Sequence, residues 1–243
     1  MPRLIAASPR LSNLRRVPAP LLAKFYRSAA PTGFDAAAVA QLERLELRTV
    51  VDLREPFESL APVDGVLIGA IHVSAPLYNG ALPVSTPIEQ VYSDLLTTRG
   101  TEIARAVGIV AAALPHGVLI HCAAGKDRTG LVLALILEAV GTERTTVLAD
   151  YALSAKSMTE SYQEMKRDEL SLALGSAEDI ATALQLHLES PAEALETSLD
   201  WVASHFGSAA GFLLANGLSL AELTLLCAHL AGSHDAAAPD TQC

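Results

Sequence analysis

The stretch Val118-Leu119-Ile120-His121-Cys122-Ala123-Ala124-Gly125-Lys126-Asp127-Arg128-Thr129-Gly130 constrains this chain more than any other. An apolar run ends at His121 and reads as a buried strand. A second apolar run, Leu131, Val132, Leu133, Leu135, Ile136 and Leu137, reads as a buried helix opening near Arg128. The loop between them carries a cysteine at its start and an arginine six residues later. A loop closing onto a helix N-terminus leaves several backbone N–H groups without partners, and the helix adds partial positive charge at the same point. Such a place suits a phosphate or sulfate. Arg128 can add a planar, bidentate fork to two of the anion's oxygens. Cys122 lies in the same field, which favours a thiolate. A thiolate beneath a bound phosphate is set for in-line attack on phosphorus. Thr129 is expected to donate its hydroxyl to that thiolate. His121 is expected to order the loop by hydrogen bonding rather than to act as a base.

Two other readings of the loop fare worse. A plain strand–turn–helix with a structural cysteine leaves Lys126, Asp127 and Arg128 together unexplained. A nucleotide-binding loop of the Gly-x4-Gly-Lys-Ser/Thr kind needs glycine at position 120 and Ser or Thr at 127, where this chain has Ile120 and Asp127.

The pattern His-Cys-x-x-Gly-Lys-x-Arg-Thr-Gly resembles the signature loop of cysteine-dependent phosphatases. With Asp127 between Lys126 and Arg128 it is similar to the atypical bacterial protein tyrosine phosphatases of the B type. That resemblance implies a phosphomonoester hydrolase working through a cysteinyl-phosphate intermediate. It also implies a phosphate cradle of Ala123, Ala124, Gly125, Lys126, Asp127, Arg128 and Thr129. Asp52-Leu53-Arg54 resembles a second family segment, a polar pair at a strand end beside the phosphate loop, with Arg54 in support. Asn13-Leu14-Arg15, Phe25-Tyr26-Arg27-Ser28, Asp150-Tyr151-x-x-Ser154 and the segments 207–214 and 218–230 are similar to further family segments. Arg16 departs from the pattern, standing where the family carries Asp. Tyr151 is read as core packing.

Composition narrows the partners. The chain has 243 residues, 51% of them hydrophobic, enough for one large domain with a good core or for one domain plus a helical extension. Its net charge of −10 argues against nucleic acid and against a strongly anionic membrane surface. The apolar stretches 106–114 and 131–137 are too short to span a bilayer, so no integral membrane association is expected. Three cysteines, at 122, 227 and 243, make no disulfide framework. The need for a thiol points to a reducing compartment, hence the cytoplasm, with export without a signal peptide left open. Arg3, Arg10, Arg15, Arg16, Lys24 and Arg27 precede the first acid, Asp35. This could be a transit peptide, but the family-like segments within it favour a place in the fold.

From residue 31 onward the chain alternates. Helical spacing covers 34–47, a strand 48–54, a further strand 66–73, a loop 76–87, helices 87–96 and 101–114, and then the strand carrying Cys122. The expectation is an α/β fold: a central, mostly parallel sheet of the cysteine-phosphatase kind, flanked by helices on both faces. Ligands bind beyond the carboxyl ends of such strands, and Cys122 and Asp52 both fall there. After residue 141 only helices are expected: 144–154, 157–188 with a break near Gly175, 192–206, 209–215 and 220–230. The whole chain, 1–243, is read as one phosphatase domain, with an ordered core over about 13–230 and a disordered tail at 232–243. The family resemblance makes 155–190 either a helical lid over the site or plain packing.

The leaving oxygen needs a proton. The only Trp is Trp201, so no Trp-Pro-Asp loop exists. Asp127 is the first candidate for the general acid and Asp52 the second. Lys126 is either a second cation for the anion or a partner of Asp127. His72, His116, His187, His205, His229 and His234 have no spacing that makes a metal site, and no metal or organic cofactor is expected. Phosphotyrosine proteins or peptides lead as substrates, with phosphoserine, phosphothreonine and phosphoinositides as alternatives. Outside catalysis, the rival is a phosphate-binding module without turnover.

Overall fold

The computed structural model describes residues 11–19, 23–31, 35–58 and 69–231, apart from the side chain of Ser161. Five strands form one sheet in the order β1-β2-β5-β3-β4. They are β1 (Arg15–Arg16), β2 (Phe25–Ser28), β3 (Leu47–Asp52), β4 (Ile71–Ser74) and β5 (Gly117–His121). Only β1 runs antiparallel; β2, β5, β3 and β4 are mutually parallel. Ser28, His121 and Asp52 are aligned across neighbouring strands, so three carboxyl ends meet where the phosphate loop begins.

Alternation along the strands divides two cores. Val118, Ile120 and Val51 face the larger one, with Phe25. Leu119 and Val50 face a smaller one, with Leu11, Leu14 and the helix α1 (Ala36–Glu43). The larger core is covered by α2 (Ile88–Thr98), α3 (Gly100–Ala113), α4 (Asp127–Ala139), α5 (Arg144–Lys156), α8 (Ala192–Phe206), α9 (Ala209–Ala215) and α10 (Leu220–Leu230). In α4 every residue from Arg128 to Leu137 is buried, which is why its sequence is apolar on all sides. Two further helices, α6 (Glu160–Ala173) and α7 (Ala177–Leu188), form a pair. They separate at 174–176, where Ser176 caps α7 by accepting from the Asp179 amide at 3.0 Å.

The elements follow the expected α/β order closely. The first helix starts at Ala36 rather than 34, where residues 32–34 lie outside the described set, and β4 begins at Ile71, with 66–68 also outside it. The expected tail, 232–243, is likewise outside. The strands β1 and β2 depart from expectation: they are two and four residues long, too short for a periodic signal, and pairing alone creates them. No described helix is long and apolar enough to cross a membrane.

Candidate active site

The loop between β5 and α4 gets its shape from the opposite end of the chain. The Ala123 carbonyl accepts from the Ala30 amide at 2.9 Å. Asn13 Nδ2 donates to the carbonyls of Ala124, at 3.1 Å, and Gly125, at 2.8 Å. Arg27 donates to the Gly125 carbonyl at 2.6 Å. Three successive carbonyls are thus drawn outward toward the N-terminal segment. In a trans peptide the C=O and the following N–H point in opposite directions. The amides of Ala124, Gly125 and Lys126 are therefore turned to the inner side, toward the N-terminus of α4. The glycine at 125 is required twice over. Its φ is +65°, and a Cβ there would lie 2.0 Å from the Ser28 carbonyl oxygen.

The two arginines behind the loop are wholly buried and share one acid. Asp150 on α5 accepts from Arg15 Nε at 2.6 Å and from Arg27 at 2.6 Å, and Ser154 lies 3.1 Å from both guanidinium groups. Arg15 also donates to the Asn13 side chain, which fixes the amide that grips the loop. Burial raises the Asp150 carboxyl's pKa, but the two guanidinium charges outweigh that and hold it below the ordinary value. Two cations and one anion leave one net positive charge buried behind the anion site.

On the inner side, a cavity of ≈ 180 Å³ is lined by Cys122, Ala123, Ala124, Asp127 and Arg128, with Glu58 and Tyr78 beside them. Tyr162, Lys166, Leu186 and His187 line it from α6 and α7. Cys122 is a buried free thiol. Arg128 is pinned by Glu58, which accepts from its two terminal nitrogens at 2.5 and 2.8 Å, and by the Leu53 carbonyl at 3.3 Å. A carboxylate on the terminal edge leaves the Nε edge of the fork for a second, bidentate acceptor. Burial works against the charge on Arg128, but the Glu58 hydrogen bonds and the neighbouring Cys122 raise its pKa.

The sequence-expected residues divide into those that line the cavity and those that frame it. Asp52 is outside the lining. Its carboxylate accepts from Arg54 at 2.7 Å and lies 3.7 Å from His121 Nδ1. Burial raises the Asp52 pKa, yet the Arg54 bonds outweigh it and keep the group below the usual carboxylate value. His121 is fully buried, which lowers it to about 4. Its Nδ1 lies 3.2 Å from the Cys122 carbonyl. A carbonyl only accepts, so Nδ1 carries the proton of the neutral ring.

Of the two readings of Lys126, the structure shows the pairing with Asp127, and the side chain is not part of the cavity lining. Its ammonium binds Asp127 Oδ1 at 2.7 Å and the carbonyls of Leu186, at 2.7 Å, and Glu189, at 2.5 Å. The carbonyl end of α7 carries partial negative charge and holds the ammonium there. Thr129 is buried and its hydroxyl has no hydrogen-bond partner, so it does not donate to Cys122 here. Tyr151 packs in the core as expected, and in addition hydrogen-bonds Tyr92 at 2.6 Å. Sequence reading missed Glu58, Tyr78, Tyr162, Lys166 and His187. None is adjacent to the loop, and only Glu58, following Asp52-Leu53-Arg54, carried a local signal. Among the described residues, no cluster of three or more His, Cys, Asp or Glu is placed to hold a metal ion.

The profile of the tyrosine phosphatase family matches residues 22–232. The chain is 29% identical over 244 residues to the triple specificity protein phosphatase PtpB of Mycobacterium tuberculosis, covering 82% of this chain and 87% of that one. It is 44% identical over 46 residues to a tyrosine-protein phosphatase of Nostoc commune, 19% of this chain and 16% of that one. Among solved structures, TpbA of P. aeruginosa aligns with a TM-score of 0.42 at 20% identity, over 82% of this chain and 96% of that chain.

Proposed function

The chain belongs to the tyrosine phosphatase family, and from that premise we propose how its own residues hydrolyse a phosphate monoester. The observation that carries the reading is the loop held by its carbonyls from outside, which turns its amides inward, with Cys122 and the pinned Arg128 lining one cavity. The substrate phosphate sits on those amides and on the free edge of Arg128. Cys122 Sγ attacks phosphorus in line; the S–P bond forms as the P–O bond to the leaving group breaks. Asp127, at the first turn of α4 and in the cavity wall, gives the leaving oxygen its proton. Water then attacks the phosphocysteine, Asp127 takes the proton back, and the thiolate leaves. Asp52 is tied to Arg54 outside the cavity and supports the loop instead. Glu58 orients Arg128.

The walls above the loop favour a phosphotyrosine side chain in a protein or peptide. Tyr78, Tyr162, Leu82, Pro83 and Leu186 give the cavity aromatic and apolar sides. Lys166 and His187 in the same lining favour a second reading, a head group with further phosphates such as a phosphoinositide. Because α6 and α7 supply four of the lining residues, they act as a cover over the site. The free thiol at Cys122 fits the cytoplasm. The experiment is steady-state hydrolysis of an aryl phosphate, a phosphotyrosine peptide and a phosphoinositide panel by wild type and Cys122→Ser. Turnover by wild type alone supports the mechanism, and the order of kcat/KM assigns the substrate. Binding by both proteins with turnover by neither would leave a phosphate-binding module.

A further inference from the structure

Two donors converge on one oxygen of Asp127. Lys126 Nζ lies 2.7 Å from Oδ1, and the Tyr92 hydroxyl lies 3.4 Å from the same atom. Neither binds Oδ2. The carboxylate, in the cavity lining, is thus held by one oxygen and leaves the other for the reacting group. We propose that Tyr92 is a positioning residue for the proton donor: with Lys126 it claims Oδ1, so that the transferable proton sits on Oδ2, toward the leaving oxygen. This rests on the reading of Asp127 as general acid.

The hydrogen bookkeeping fixes the direction of the chain. A carboxylate oxygen can only accept, so Tyr92 donates to Asp127. Tyr92 has one hydroxyl proton and lies 2.6 Å from the Tyr151 hydroxyl. When that proton points to Asp127, Tyr151 donates to Tyr92 in turn, giving the order Tyr151 to Tyr92 to Asp127. Burial raises the pKa of both phenols, with Asp127 adding to the effect, so both stay protonated and able to donate. The pair is anchored from three helices. Tyr92 on α2 is wholly buried, and the two rings meet edge to face with centroids 6.3 Å apart. The Tyr151 ring crosses Gly130 of α4 so closely that a Cβ there would lie 2.7 Å from it. A wholly buried side chain whose hydroxyl reaches one oxygen only, at 3.4 Å, is suited to biasing which oxygen of a carboxyl group bears its proton.

During phosphoryl transfer the Oδ2 proton moves to the leaving oxygen as that oxygen's bond to phosphorus breaks. On hydrolysis the attacking water returns a proton to Oδ2. Without Tyr92 only Lys126 holds Oδ1, so the carboxyl group is less tightly oriented and its proton is delivered from Oδ2 less often. The loss should then grow with the leaving group's need for a proton.

The test is a series of aryl phosphates whose leaving phenols range from strongly to weakly acidic, with wild type, Tyr92→Phe, Tyr151→Phe and Asp127→Asn. Melting temperature and vanadate affinity are measured beside kcat. Asp127→Asn should lower kcat on the poorest leaving group on the order of 100-fold and steepen the leaving-group dependence. Tyr92→Phe should lower it about tenfold there and less than about twofold on the best leaving group, with vanadate affinity unchanged. Tyr151→Phe, one step back, should show the same slope change at smaller size, and it decides the matter should Tyr92→Phe not fold. If Asp127→Asn leaves the slope unchanged, the assignment of Asp127 fails and the inference falls with it. If Asp127→Asn steepens the slope and the folded tyrosine variants do not, the inference alone is overturned.

Discussion

Replacing Gly125 by alanine tests whether the loop is aimed by the backbone behind it. The left-handed φ of +65° at this position costs a residue with a Cβ about 1–2 kcal/mol. The added atom would stand 2.0 Å from the Ser28 carbonyl oxygen, 2.3 Å from its carbon and 2.6 Å from the Ala29 nitrogen, all backbone, where real contacts keep beyond 3.0 Å. Something must therefore move by about 1 Å. The end of β2 cannot easily move, because Ser28 is paired with His121 and Arg27 is tied to Asp150. The displacement falls on the loop and loosens the bonds from Asn13, at 2.8 Å, and Arg27, at 2.6 Å, to the Gly125 carbonyl. Each such buried bond contributes about 1 kcal/mol, more where the donor is charged. The expected loss of stability is about 3–5 kcal/mol, and a misplacement of this size costs about 100-fold in kcat/KM. Urea unfolding gives the first number, and hydrolysis of an aryl phosphate at a temperature where the variant is folded gives the second. A folded Gly125→Ala protein with wild-type kcat/KM would refute the argument that the outward carbonyls aim the amides.

Other expectations follow from the same contacts. Glu58→Gln removes the charge that pins Arg128; kcat/KM and vanadate affinity should both fall about tenfold or more, and unchanged affinity would deny Glu58 an orienting role. Asp150→Asn leaves Arg15 and Arg27 buried against each other, and urea unfolding should show a loss of about 3–5 kcal/mol; a loss under about 1 kcal/mol would mean the triad is not a structural unit. His121 has its folded pKa lowered to about 4, so protons bind the unfolded chain first. Its contribution is complete above about pH 6.5 and is lost, by about 1.4 kcal/mol per unit, as pH falls toward 4. Asp52, Glu58 and Asp150, also lowered, add losses of the same sign as pH falls through their folded values, so unfolding free energy that rises on acidification would contradict the assignments. Proteolytic cleavage at 174–176 should lower activity and be slowed by phosphate, and cleavage without either effect would remove the covering role of α6 and α7.

Local pattern determined much of this protein. The apolar run before His121, the apolar run after Arg128 and the break at Gly175 are short-range signals of period and turn, and they placed β5, α4 and the α6–α7 separation. The spacing of Cys122 and Arg128 is likewise local, because both lie on one loop whose reach is set by a few residues. What only the tertiary structure decided is where charged side chains found their partners. Asn13 meets Gly125, Arg27 meets Asp150 and Arg128 meets Glu58 across 70 to 123 residues of chain. Lys126 reads in sequence as a cation for the anion or as a partner of Asp127; in space it pairs with Asp127 and also reaches the carbonyls that end α7. A buried charge must take the nearest geometry that satisfies it, and that geometry exists only after the helices have packed. The spacing of the loop was therefore written in its own residues, while the hydrogen bonds that hold its carbonyls and the partners of Asp127 Oδ1 were set by the fold around it.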